Sequence, residues 1–186
     1  MFEYLMPPLL LGSYPGTLLY QTAEAAIDQQ IDYGRQKSVP WGISESGFYA
    51  FDAAYNYQYR AFGVPGLGFK RGLADDLVIA PYASLLALPF RPGDVMQNIE
   101  QMQEMHLVGR YGLYEAVDFT AARLAIGQEY AVVRSYMAHH QGMILLALAG
   151  YLQGPKMVRR FHAEPMNRSV ELLLQERVPD SAPLRF

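Results

Sequence analysis

Apolar positions in the first part of the chain recur every three or four residues. Leu19, Ala23, Ala26, Ile27 and Ile31, with Gln30 among them, fall on one helical face. That spacing predicts a helix over Thr17–Tyr33, with Pro15-Gly16 before it and Gly34 to end it. Val95, Ile99, Met102 and His106 predict a second over Asp94–His106. Val133, Met137, His140, Ile144, Leu148 and Tyr151 predict the longest, over Tyr130–Leu152, stopped by Gly154-Pro155. Val170, Leu173, Leu174 and Val178 predict a helix over Pro165–Val178, with proline in its first turn. The apolar run Leu77–Leu88, started or broken at Pro81, predicts a fifth, and Pro155–Phe161 a short extra turn. Strand signals are sparse. Tyr55, Tyr57 and Tyr59 alternate, so Phe48–Tyr59 reads as a short strand or an irregular loop. The predicted class is all-α, with an aromatic, glycine-rich loop over Trp41–Leu73, and long loops of that kind are usually functional.

Composition narrows this picture. At 51% hydrophobic and 18% charged, the 186 residues suit one packed domain and exclude a disordered chain. A net charge of −3 leaves no basic excess to neutralise phosphates, so nucleic acid is excluded as a partner. The absence of cysteine excludes disulfides, thiol catalysis and thiolate metal sites. The most apolar stretches, Leu77–Phe90 and Met143–Leu152, fall short of the ~20 residues of a bilayer helix. No basic lead-in marks a secretory signal. The chain opens inside an apolar segment, Met1-Phe2-Glu3-Tyr4-Leu5-Met6, which predicts a piece of a longer protein.

Three constellations could carry chemistry. In Trp41-Gly42-Ile43-Ser44-Glu45-Ser46-Gly47-Phe48-Tyr49 a carboxylate sits among aromatic rings. Rings stack on sugars and desolvate a carboxyl group, raising its pKa toward that of a general acid. The same string also fits a helix N-terminus capped by Ser44, with Glu45 on the dipole. In Tyr111-Gly112-Leu113-Tyr114-Glu115-Ala116-Val117-Asp118, Glu115 and Asp118 would share a face if the segment were helical. Taken alone, the string fits a structural ion pair with Arg110 and a capping Asp better than a catalytic pair. In Met137-Ala138-His139-His140-Gln141-Gly142-Met143, adjacent histidines lack the i, i+4 spacing of a helical metal site. No metal or cofactor is expected. His139 and Gln141 could donate to hydroxyls, while His140 lies on the apolar stripe and fits a buried, satisfied residue. Gly66-Leu67-Gly68 lacks the context of a phosphate loop.

Together with Phe62-Gly63-Val64-Pro65-Gly66-Leu67-Gly68 and the opening Met1–Pro7, these strings resemble the glycoamylase-like domain of cyclic β-1,2-glucan synthases, relatives of endo-β-1,2-glucanases. The resemblance extends to about Leu152. It implies a partial (α/α) toroid of helical hairpins, about half of an (α/α)6 barrel, acting on β-1,2-linked glucan. It implies a retaining transglycosylase that closes a linear glucan into a ring, within a larger bacterial protein on the cytoplasmic side of the inner membrane. The fragment itself is expected to be soluble. Glu45 matches a family catalytic carboxylate. The other catalytic acid is expected upstream of Met1, so the isolated chain is expected to be inactive. Glu115, Asp118 and Glu3 rank as secondary acids. Trp41, Ser44, Tyr49, Tyr57, Arg60, Tyr114, His139 and Gln141 are expected to bind the sugar.

Twelve helices of about 11–12 residues, with their connections and the long functional loops added, need more residues than this chain has. It is therefore expected to be half a ring, with residues 1–164 in the toroid and 165–186 a helix and linker to a following domain. Its partners are then glucan and the remainder of the synthase, or a second copy covering an exposed apolar face. Two alternatives stand: an endo-β-1,2-glucanase-like hydrolase, and a non-catalytic glucan-binding module.

Overall fold

Pro7-Pro8 divides the apolar start of the chain into two short helices, α1 (Phe2–Leu5) and α2 (Pro8–Leu11). Proline suits a first helical turn and cannot extend a preceding one. The computed structural model describes residues 1–68 and 70–177. Thr17 then caps the longest helix, α3 (Leu18–Lys37), its Oγ1 accepting the Tyr20 N–H at 3.3 Å. The expected stripe is buried, Ala23, Ala26, Ile27, Gln30 and Ile31 together. Gly34 does not end the helix. A Cβ there would lie 3.0 Å from Trp41 Cβ, so the glycine admits Trp41 against the helix. The stop is Ser38, in the left-handed region at φ 55°.

Beyond α3 come β1 (Ser46–Phe51), β2 (Tyr57–Arg60), β3 (Val78–Ile79), α4 (Pro81–Leu85) and α5 (Pro92–Glu104). They are followed by β4 (Val108–Gly109), β5 (Gly112–Leu113), β6 (Ala116–Asp118), β7 (Ala131–Val133) and α6 (Ala138–Gln153). The described chain ends through α7 (Lys156–Ala163), α8 (Pro165–Ser169) and a 3-10 turn at Glu171–Gln175. Helices outweigh strands, but the expected all-α class needs correction, because three small antiparallel sheets stand among them. They are β1-β2, β3-β6-β7 and β4-β5.

The corrections share one cause. Val78-Ile79, Val117 and Val132-Val133 are β-branched and pair across the middle sheet. In runs this short, apolar residues do not distinguish strand from helix. The expected helix over Tyr130–Leu152 therefore divides into β7 and α6, and that over Leu77–Leu88 into β3 and α4. The expected Pro165–Val178 helix shortens to α8 and the 3-10 turn; Val178 and the linker residues to 186 lie outside the described residues. Phe48–Tyr59 resolves into the β1-β2 hairpin.

Two apolar clusters meet at the site. One packs Leu5, Ile27, Trp41, Tyr82, Leu86, Met143 and Ile144 between α1, α3, α4 and α6. The other packs Ile43, Phe62, Ile79, Met102, Leu107, Val117 and Val133 around the sheets. Residues 41–45 cross from the first to the second. Two buried amides hold that crossing. Asn98 of α5 accepts the Trp41 N–H at 2.9 Å and donates to the Trp41 carbonyl at 2.8 Å. Gln30 of α3 does the same for Ile43, both bonds at 2.8 Å. Among the described residues no helix is long and apolar enough to cross a membrane.

Candidate functional site

Glu45 follows this doubly anchored crossing directly. Its segment leads into strand β1, not a helix, so Ser44 is no helix cap. Ser44 is buried and its Oγ accepts the Phe2 N–H at 3.2 Å, which ties α1 to the crossing. Tyr82 of α4, fully buried, shares its hydroxyl proton between Ser44 Oγ at 2.9 Å and the Glu45 carbonyl at 3.1 Å. Glu45 itself is half-buried.

Beneath this segment lies a buried acid–imidazole pair. Glu115 Oε1 accepts the Gly47 N–H at 3.0 Å. His140 Nδ1 lies 3.0 Å from Glu115 Oε1 and 3.1 Å from Oε2. A carboxylate can only accept, so Nδ1 carries the hydrogen. Nε2 of His140, like Ser46 Oγ, is buried and meets no hydrogen-bonding atom among the described residues. The imidazole stacks on the Tyr82 ring, with centroids 3.8 Å apart and planes at 17°. A Cβ at Gly47 would meet Glu115 Cγ at 3.2 Å, so glycine lets the pair sit directly under β1.

Two phenols report the charge here. Burial pushes the Tyr59 hydroxyl up, and the charges of Glu45 and Glu115 add to it, reaching about 12. Burial likewise raises Tyr82 well above the usual tyrosine range; the Ser44 hydrogen bond opposes this, while Tyr59, Glu45 and Glu115 add to it. Both therefore remain O–H donors at any working pH. Glu3 is exposed on α1, and its charge and that of Glu45 both raise the Met1 amino group against a larger lowering by burial.

The structure sorts the remaining expected residues. Trp41 is 6% exposed and belongs to the core, so it offers no ring face to a sugar. Asp118 is fully buried in a strand rather than on a helical face. It accepts from Arg123 Nε at 2.7 Å and Nη2 at 3.0 Å, and from the Tyr49 N–H at 3.0 Å. Burial raises its pKa, but Arg123, Thr120 and Tyr49 outweigh that and hold the carboxyl below its usual range. Asp118 is thus a structural clamp from β6 to β1. Arg110 stacks over Tyr111. Arg60 pairs with Asp76 and lies over the Phe48 and Phe62 rings. Tyr49 and Tyr57 line a separate cavity of about 380 Å³ with His106, Tyr130 and Arg134, toward the far end of the hairpin. Tyr114 packs on Tyr136, and Gln141 Nε2 donates to the Leu113 carbonyl at 2.9 Å. His139 is exposed, its ring 5.8 Å from Phe2 and 5.6 Å from His140.

Sequence reasoning missed Tyr59 and Tyr82 as members of the site, and Arg123 as the partner of Asp118. No local pattern marks Tyr82, whose role is set by a ring contact with distant His140. Tyr59 was visible only as one of three alternating tyrosines. Chemically, a half-buried carboxylate can donate or accept a proton, or attack an electrophilic carbon, while the exposed Tyr59 phenol can hold a hydroxyl and the buried Tyr82 phenol is committed to Ser44 and the Glu45 carbonyl. Among the described residues no group of three or more acidic or histidine side chains could hold a metal ion.

The family model for glycoamylase matches residues 1–165. The chain is 47% identical over 184 residues to the cyclic beta-(1,2)-glucan synthase NdvB of Rhizobium meliloti (strain 1021). That match covers 99% of this chain and 6% of the synthase. Among solved structures, the beta-1,2-glucanase from Parabacteroides distasonis aligns with TM-score 0.59 at 18% identity, covering 94% of this chain and 23% of that one. The endo-beta-1,2-glucanase from Chitinophaga pinensis, in complex with sophorotriose and glucose, aligns with TM-score 0.52 at 20% identity, covering 87% and 35%. At these identities the two structures speak for the fold alone.

Proposed function

The chain belongs to the glycoamylase family, and from that premise we propose that it forms part of a carbohydrate-active enzyme acting on β-1,2-glucan. Its role is in the glycosyl-transferring, ring-closing domain of a cyclic β-1,2-glucan synthase. The likeness to such a synthase along nearly the whole chain supports the substrate class. The observation that carries the chemistry is the setting of Glu45: a half-buried carboxylate whose charge, with that of Glu115, acts on two phenols, the buried Tyr82 and the exposed Tyr59.

On this reading Glu45 is one of two catalytic carboxylates, as nucleophile or as acid/base. Glycosyl transfer of this kind uses a pair of acids flanking the scissile bond. Asp118 is occupied by Arg123, and Glu115 by Gly47 and His140. The resemblance to the synthases implies a second acid from the rest of the polypeptide, and on that reading this chain alone is inactive. Tyr59 offers a hydroxyl to the sugar beside Glu45, and Glu3 and His139 stand at its margin. In the full protein the domain lies on the cytoplasmic side of the inner membrane, and residues 165–186 lead to the next domain.

The test is Glu45→Gln in the full-length polypeptide. Glutamine keeps shape and hydrogen bonding but removes ionisation and proton transfer. Ring closure should fall by about 10²–10⁴-fold, while affinity for linear glucan changes far less. Near-normal turnover would remove Glu45 from the mechanism. Equal loss of turnover and affinity would make it a binding residue. Products that are linear rather than cyclic, from the wild-type protein, would favour a hydrolase.

A further inference from the structure

A closed circuit of contacts surrounds the backbone that carries Glu45. On one side Tyr82 donates to the Glu45 carbonyl at 3.1 Å. Two residues on, Glu115 accepts the Gly47 N–H at 3.0 Å. His140 joins these two contacts. Its Nδ1 lies 3.0 Å from Glu115, and its ring stacks on Tyr82 with centroids 3.8 Å apart. The circuit draws on four separate parts of the chain: β1 and the residues before it, α4, the residue just before β6, and α6. His140 is 1% exposed, Tyr82 1% and Glu115 3%. Such burial keeps all three from the bulk of any substrate, and it also makes the geometry stiff, because interiors are close-packed.

We infer that Tyr82, His140 and Glu115 act together as a buried positioning clamp, holding the Glu45 carboxylate in register with its substrate by fixing the peptide units on both sides of it. The inference rests on the reading of Glu45 as catalytic, and it assigns a function to three residues that touch no sugar. A bare packing role is a weaker account of the same contacts. Packing alone would be served by an apolar side chain on α6. Here the stripe position facing the site holds instead a histidine whose only hydrogen-bond partner among the described residues is the acid that holds Gly47. A shift of about 1 Å at a reacting group, caused from a distance, can cost about 10²-fold in rate.

The experiment measures ring closure by the full-length polypeptide on linear β-1,2-glucan. His140→Ala should lower kcat by about 10²-fold with KM little changed. Tyr82→Phe, which keeps the stacked ring and loses only the hydroxyl, should give a smaller fall in kcat, about 10-fold. His140→Asn, which can still donate to Glu115, should recover part of the loss. Combining His140→Ala with Glu45→Gln should cost little more than Glu45→Gln alone, because the clamp acts through that carboxylate. If Glu45→Gln leaves turnover intact, the catalytic reading fails and the clamp with it. If Glu45→Gln abolishes turnover while folded His140→Ala and Tyr82→Phe retain it, only the clamp fails. Should His140→Ala unfold, Tyr82→Phe decides: full kcat, or a loss shared equally by KM, overturns the clamp.

Discussion

α5 and α7 both begin beside a proline, and both carry apolar residues at helical spacing, yet they end in different circumstances. α5 buries Val95, Asn98 and Met102, and its Asn98 fixes the backbone that leads to Glu45. α7 buries nothing, nor do α8 and the 3-10 turn that follow it. Met166, Leu172 and Leu173 are 77%, 78% and 76% exposed. A cavity of about 470 Å³ between α2, α6 and α7 is lined by Leu9, Leu146, Tyr151, Met157 and Val158. An apolar stripe thus permits burial and does not supply it; a facing surface must exist. Around Glu45 that surface comes from five helices and two sheets. On the proposed reading, other parts of a longer polypeptide supply it for α7 and α8.

The contrast can be tested by perturbing each region. The largest effect should come from Gly42→Ala. Gly42 has φ +126°, and a Cβ would stand 2.5 Å from Ser84 Oγ and 3.1 Å from the Ala80 carbonyl. Strain and overpacking together should cost more than about 3 kcal/mol of unfolding free energy, read from denaturant midpoints.

Asp118→Asn should come next, at about 2 kcal/mol near neutral pH, because it weakens the charged hydrogen bonds to Arg123 and leaves that side chain only Asp76, at 3.0 Å, as counter-charge. This loss has a pH signature. The folded carboxyl lies below its unfolded value of about 3.9, so its stabilisation is complete above that value and drains away as the pH falls through the folded one. The gap between wild type and variant should therefore narrow on acidification below about pH 4. A constant gap would mean that packing, not charge, sets the effect.

The smallest effect should follow Leu172→Ser, within about 0.5 kcal/mol. If it matches Asp118→Asn, the C-terminal helices are as firmly held as the site, and the comparison fails.

How much of this was legible in the sequence depends on the range of the interaction. The α3 stripe could be read directly, because its residues share one helix and one buried face. Glu45 could be singled out because its ring-flanked, glycine-rich string is local. The middle sheet could not, since β6 and β7 are three residues each and leave no period to count. Gly34 was misread for a related reason: a glycine that ends a helix and one that admits a neighbouring Trp41 look alike until the neighbour is placed. Trp41 itself was read as a sugar-stacking ring, but the Asn98 amide and the Gly34 gap draw it into the core. His140 was recognisable as buried, but its partner Glu115 stands just before a strand that no local pattern reveals.

The β1-β2 hairpin keeps its register beside Glu45 through the pairs Ser46↔Arg60, Gly47↔Tyr59 and Phe48↔Gln58, then slips at a bulge before Phe51↔Tyr57. Beyond the bulge, one aspartate organises the tip, Asp52 Oδ1 accepting from the Ala54 and Asn56 N–H groups at 2.8 and 2.9 Å. The bulge works as an expansion joint. A change in length at the tip lies beyond it, apart from the three pairs next to Glu45. A foreign turn grafted between Phe51 and Tyr57 should therefore leave that pairing in place.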